Sequence, residues 1–326
     1  MRTIAIEEHF LSTACQPIMA ERLKQEQFPF DTVWSKLVDL GDDRLKDMDV
    51  SGIDVQVLMH TFFPDSHPDA VRLARETNDE LAGTIASHPD RYAGFAVLPW
   101  THPEAAVDEL KRVVGSPGIN AAMANGMANG RFLDDPSFFP VWQQAAALNV
   151  PVYIHPSLPP KAVSDAYYTG FNPPVNWLFQ AVCWGWHSEV GLHALRLILS
   201  GLFDRLPTLQ VIIGHMGEMF PFMLDRIDDW MTPVVKNLKR KVSDYFLDNF
   251  YISTSGFFSQ PPLVLALSTI GSDRIIFAVD HPYSTNRQGR EYLDKLSISK
   301  ADKARIMHLN AERLFRIGKE GPVTTV

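Results

Sequence analysis

The chain has 326 residues, 46% hydrophobic and 21% charged, with a formal net charge of −8 at neutral pH. That much apolar content can offset the entropy of ordering a backbone, which excludes a disordered chain, and two cysteines, Cys15 and Cys183, exclude a disulfide scaffold. The acidic balance disfavours a nucleic-acid partner, because the one basic run, Lys236 to Lys241, adjoins Asp244 and reads as a solvated face. No run approaches the ~18 consecutive apolar residues of a membrane span, and Glu7 and Glu8 stand where a secretory leader would be apolar. A cytoplasmic protein without a membrane partner is expected.

In chain order, the first β-branched run, Thr3–Ile6, predicts a strand, and Phe10–Gly52 reads as an insertion before the next one, Val55–Met59. A helical period follows over Pro68–Ser87, a strand over Tyr92–Leu98, a helix over Pro103–Val114 and a strand over Ile119–Met123. Helix Ser137–Leu148 leads to strand Val150–Ile154 and then to a stretch rich in Pro, Ser, Tyr and Asn, Pro156–Trp177, which predicts a long loop over one end of the fold. The remaining elements are helix Ser188–Leu202, strand Gln210–Ile213, helix Glu218–Leu238, strand Phe250–Ser253, helix Pro262–Ile270 and strand Ile275–Val279. Eight strands alternating with helices, and no Pro/Ser-rich linker, predict an α/β fold of the (β/α)8 TIM-barrel class. The expected organisation is a single domain over 1–326, with loop insertions over the C-terminal face and helices at 300–318 packing on the barrel. A doubly wound open sheet is the rival topology, but no G-x-G-x-x-G follows the first strand.

Chemistry in such a barrel sits where strands end. Strand one ends in Glu7-Glu8-His9, strand five in His155-Pro156, strand six in Gly214-His215-Met216-Gly217-Glu218 and strand eight in Asp280-His281-Pro282. Side-chain alternation puts Glu7 and His9 on one side of their strand and Glu8 on the other. Each donor alone could be a cap or a turn residue. Together Glu7, His9, His155 and Asp280 could give a zinc or manganese ion the N/O donors it needs. Three-residue spacing puts His215 and Glu218 side by side at the start of a helix, where the carboxylate would fix the imidazole's tautomer. Arg226, two turns on, could meet an anionic substrate or form a surface salt bridge. His60, at the end of strand two, is a candidate pocket residue, and Trp177, Phe179, Trp184 and Trp186 could build an aromatic wall.

The chain resembles the amidohydrolase superfamily, in the branch of aminocarboxymuconate semialdehyde, γ-resorcylate and 2,3-dihydroxybenzoate decarboxylases. The resemblance runs nearly end to end, on Ile-Glu-Glu-His-Phe at 6–10, His-Pro at 155–156, the stretch His193 to Asp204, Ile-Ile-Gly-His-Met-Gly-Glu at 212–218 and Asn-Ala-Glu-Arg-Leu-Phe at 310–315. It implies a distorted barrel holding one divalent metal (zinc or manganese, with magnesium also possible) on Glu7, His9, His155 and Asp280. It also implies His215 and Glu218 as catalytic partners, Arg226 at the substrate, no organic cofactor, and a dimer or tetramer. The implied substrate is a small aromatic acid whose carboxylate and ortho oxygen chelate the metal while Asp280 protonates the ring carbon. The same donors could instead activate water for hydrolysis of a lactone or amide. A non-catalytic ligand-binding barrel is a third reading, which a missing donor would favour. An acidic residue is expected a few places beyond the strand-eight Asp in many aromatic decarboxylases, and Ser284 stands there instead.

Overall fold

In the computed structural model, which describes residues 1–26 and 31–318, the apolar runs become eight strands. They are β1 Ile4–Phe10, β2 Val55–His60, β3 Tyr92–Val97, β4 Ile119–Asn125, β5 Val152–His155, β6 Val211–Ile213, β7 Phe250–Ser253 and β8 Ile275–Ile276. All neighbours pair in parallel and in sequence order. β8 returns to β1 through a bridge between Ile6 and Ala278, with the Ile6 N–H donating to Phe277 O at 3.0 Å. The sheet thus curls into the predicted (β/α)8 barrel.

Alternation along each strand builds two apolar layers. Ile4, Ile6, Val57, Phe95, Met123 and Ile212 fill the inside. Ala5, Leu58, Ala96, Ile154, Ile213 and Phe277 face the helices.

The helices are α1 Gln16–Glu26, α2 Asp31–Val38, α3 Asp42–Ser51, α4 Ala70–Ser87, α5 Pro103–Val113, α6 Phe139–Ala147, α7 Lys161–Tyr167 and α8 Pro173–Gln180. They continue as α9 Gly185–Leu199, α10 Leu202–Arg205, α11 Phe220–Met231, α12 Val242–Asn249, α13 Gln260–Thr269, α14 Asn286–Lys295, α15 Lys300–Ala304 and α16 Asn310–Phe315. In α4, Leu73, Ala74, Thr77, Leu81 and Ile85 recur at three- and four-residue steps and are all buried, as an amphipathic helix on a sheet requires. Phe315 of α16 meets Phe95 inside the barrel with ring centroids 5.3 Å apart, so the C-terminal helices pack against the barrel end away from the strand C-termini.

Two segments differ from expectation. Pro156–Trp177 is not simply a loop, since it holds α7 and the start of α8, and the insertion before β2 holds three helices. The helix predicted over Glu218–Leu238 begins only at Phe220 and ends at Met231. α14 escapes an apolar-periodicity reading because it is mostly polar. It is set by a capping box between Thr285 and Gln288 and by Gly289, where a Cβ would lie 2.9 Å from Val279 Cγ2.

Candidate active site

Simple alternation from the inward Ile4 and Ile6 would send Glu7 outward. A bulge prevents this: the register steps from Ile6 opposite Val57 to Glu8 opposite Leu58, and Glu7 takes a φ of 63° as the extra residue. Glu7 and His9 therefore both face the barrel interior while Glu8 faces out. Glu8 then clamps the far side of the site. Its Oε1 accepts the Val279 N–H at 2.8 Å and its Oε2 the His281 N–H at 3.3 Å, the two amides that flank Asp280. Burial pushes Glu8 up to about 8, against the pull of the Val279 amide and of Arg44. Asp280 itself has a φ of 68°, a costly backbone state for a non-glycine residue that this clamp holds in place.

One oxygen of Glu7 is fully engaged. Its Oε2 accepts from the hydroxyls of Tyr153, Ser253 and Ser255. The other, Oε1, is buried with no hydrogen-bond partner, and so are both ring nitrogens of His9. His9 Nε2 lies 3.0 Å from Asp280 Oδ1, close enough for an ion pair but without hydrogen-bond geometry, and His155 Nε2 lies 3.7 Å from Glu7 Oε1. The His155 Nδ1–H donates to Pro156 O at 2.8 Å, which leaves Nε2 as a lone pair turned inward. Burial, then the nearby His9 and His215, push His155 well down, and burial pushes Glu7 up. Ligand atoms of Glu7, His9 and His155 all fall within 4.8 Å of one another. Buried polar atoms that converge without bonding are rare in proteins, and this set of imidazole and carboxylate donors fits a divalent cation. Phenylalanine at Tyr153 would strip one donor from Glu7, so Tyr153→Phe should weaken metal affinity by about 10–100-fold, read by competition with a chelating dye. Gly214 is required here because a Cβ would sit 2.7 Å from Tyr153 Oη and 3.4 Å from Glu7 Oε2.

His215 and Glu218 do meet, but not on a helix. Residues 215–219 all have positive φ, from 47° at His215 to 88° at Gly217, and this left-handed turn brings His215 Nδ1 to 2.6 Å from Glu218 Oε1. The second carboxylate oxygen lies 2.6 Å from Nδ1 of His187, in the first turn of α9. Burial would raise Glu218, but His215 and His187 hold it down at about 2. Burial would lower His215, but Glu218, then Glu7 and Asp280, lift it to about 10. Above these groups opens a cavity of about 390 Å³, floored by His155, His215 and Asp280 and walled by Phe62, Trp177, Trp186, Phe257 and Tyr283. A flat apolar wall over a charged floor suits a small aromatic anion.

The family model described as Amidohydrolase matches residues 9–317. The chain belongs to the amidohydrolase family. Within that family it is similar to the γ-resorcylate decarboxylase of Polaromonas sp., 37% identical over 97% of this chain and 99% of that protein. It is also similar to the one of Rhizobium sp., 37% identical over 96% of this chain and 98% of that protein. A solved dihydroxybenzoic acid decarboxylase from Polaromonas sp., with bound manganese and the inhibitor 2-nitroresorcinol, superposes with a TM-score of 0.88 at 35% identity, covering 98% of each chain.

Two expected site residues of this amidohydrolase lie elsewhere. His60 is fully buried in the core, between Phe10 and Phe63, and not at the cavity wall. Its Nε2 accepts the Ser12 N–H at 3.2 Å, and burial pushes it down to about 3, so the ring is neutral. Arg226 projects from the exposed face of α11, its guanidinium 4.7 Å from the Trp230 ring centroid, and does not line its own chain's cavity. In turn, the structure adds Tyr153, Ser255, His187 and Tyr283, which the strand-end reading overlooks. Tyr153 was within reach of it, since alternation on β5 puts Tyr153 on the same face as His155. His187 sits among aromatic residues at a helix start and has no such signal.

Proposed function

We propose that this chain is a metal-dependent, non-oxidative decarboxylase of hydroxybenzoate-type aromatic acids, with Glu7, His9, His155 and Asp280 holding one divalent cation. The observation that carries this reading is the set of buried, unpartnered donor atoms beneath an aromatic-walled cavity. The decarboxylase relatives that span the whole chain support it. A cation bound there supplies Lewis acidity and a point at which the carboxylate and ortho oxygen of such an acid can chelate. The donor set suits manganese, zinc or magnesium, and manganese is the ion found in the Polaromonas relative.

The chain's own residues supply the proton. Asp280 turns Oδ1 toward His9 and keeps Oδ2 beside Gly256 at the cavity wall, where a Cβ on that glycine would lie 3.8 Å from it. From Oδ2 a proton passes to the ring carbon that bears the carboxylate. The bond to the carboxylate then breaks, its electron pair returns to the ring, and carbon dioxide leaves, so no oxidant and no organic cofactor takes part. Glu218 holds the His215 ring, which leaves Nε2 as the nitrogen available to the cavity and to the return of a proton to Asp280. Ser284 lines the cavity beside Asp280 and offers a ring substituent a neutral hydroxyl in place of a carboxylate. The hydrolase reading has nothing in its favour beyond the donor set both reactions share.

The expected homo-oligomer is supported by exposed apolar side chains on α11, Phe222 and Trp230 at 75% and 65% exposure, and by Phe171 and Trp184 around α8. Among the described residues no helix is long and apolar enough to cross a membrane. The free thiols of Cys15 and Cys183 suit a cytoplasmic location. Incubation of the enzyme with a panel of hydroxybenzoates in bicarbonate-free buffer should release carbon dioxide and the matching phenol in equal amounts. Turnover confined to lactones or amides would overturn the reading.

A further inference from the structure

We infer that His187 donates from both ring nitrogens as an imidazolium in the cavity wall, and that it positions Glu218, and through it His215, for work on an anionic substrate. The argument is one of hydrogen-bond inventory. His187 Nε2 lies 2.9 Å from Val182 O, and a carbonyl oxygen only accepts, so Nε2 carries a hydrogen. Nδ1 lies 2.6 Å from Glu218 Oε2, too close for two lone pairs, so a proton lies between them as well. Glu218 is 1% exposed and flanked by two imidazoles, with both of its oxygens engaged at 2.6 Å. A carboxylate with one imidazole nitrogen 2.6 Å from each oxygen matches an anion accepting from two ring N–H donors, which places that shared proton on the ring. Both nitrogens of His187 are therefore donors, and the ring is a cation.

The surroundings explain why this cation needs Glu218 and how it is held still. His187 lies in the first turn of α9, where the helix dipole disfavours positive charge. The carboxylate opposite offsets that penalty and the loss of hydration. Gly191, one turn further, lets the α9 backbone approach the left-handed turn so closely that a Cβ would lie 2.7 Å from Glu218 O. Helix and turn are thereby locked in register. His187, His215 and Glu218 also have the spacing of a metal-binding triplet, but their facing atoms already satisfy one another, so they form a charge relay and not a second cation site. With Glu218 paired to His187, its charge is balanced within the wall.

The role in turnover rests on the decarboxylase reading, whereas the charge state does not, and one experiment separates them. In zinc-loaded enzyme labelled with 15N at histidine, long-range 1H–15N correlation at pH 7 should give His187 two protonated ring nitrogens, the signal being assigned by its loss in both His187→Gln and His187→Asn. A single protonated nitrogen would overturn the proposal whatever the activity. His187→Gln, which keeps shape and a donor but no charge, should lower kcat by about 10–100-fold with metal content unchanged, and His187→Lys should recover part of that loss. A glutamine variant with wild-type kcat would overturn the positioning role.

Discussion

Asn in place of Asp280 is expected to lower kcat on a hydroxybenzoate by about 10²–10⁴-fold, the usual contribution of a positioned proton donor. The substitution keeps side-chain shape and removes the transferable proton and the charge, the latter also part of the hold on the cation. Its backbone should not move, because Glu8 holds the amides on both sides of residue 280 and the Ser284 N–H still donates to its carbonyl at 3.0 Å. Thermal unfolding of Asp280→Asn should therefore match the parent, and the loss should persist when the metal is supplied in excess. Activity within tenfold of the parent, with metal bound, would assign the proton to another group, with His215 on the cavity floor the alternative.

Removal of His155 is expected to act one step earlier. His155→Ala deletes the inward Nε2 lone pair that lies 3.7 Å from Glu7 Oε1, so metal affinity should fall by more than the 10–100-fold typical of an outer-shell change. Elemental analysis of protein purified without added metal should give about one divalent ion per parent chain and far less for the variant. His60→Ala is the control, since it also removes a buried imidazole. It should loosen the core packing between Phe10 and Phe63 but leave metal content as it was. Equal metal in His155→Ala and the parent would contradict the ligand assignment.

Asp280 and His155 both close a barrel strand, which makes them legible from sequence. A strand-terminal position predicts the C-terminal mouth of a barrel almost regardless of local detail, so His155, His215 and Asp280 were legible once the strands were. Glu7 and His9 came out on the correct side for an incomplete reason. Strict alternation from Ile4 and Ile6 would have turned them outward, and only the bulge at Glu7, invisible to periodicity, reverses this. The pairing of His215 with Glu218 was likewise right in contact and wrong in backbone, because three-residue spacing serves a left-handed turn as well as a helix. His60 departs from its expected place in the pocket because a strand-end position does not say which layer a side chain joins. His60 faces the helix layer beside Phe10 and meets Ser12. His187 was hidden because it comes from a helix start distant in sequence, and only tertiary packing through Gly191 brings it to Glu218. The polar helix α14 is defined by its capping box and close packing on the strands more than by an apolar stripe, whereas α12 has a stripe of Val242, Tyr245 and Phe246 in a helix of only 8 residues, too short for the period to stand out.

The metal dependence of carbon dioxide release from a hydroxybenzoate tests the account most directly. Chelation should abolish release of both carbon dioxide and phenol, and manganese or zinc alone should restore them to the parent rate without any organic cofactor. Carbon dioxide release that survives complete removal of metal, or restored protein that turns over only esters, lactones or amides, would contradict it.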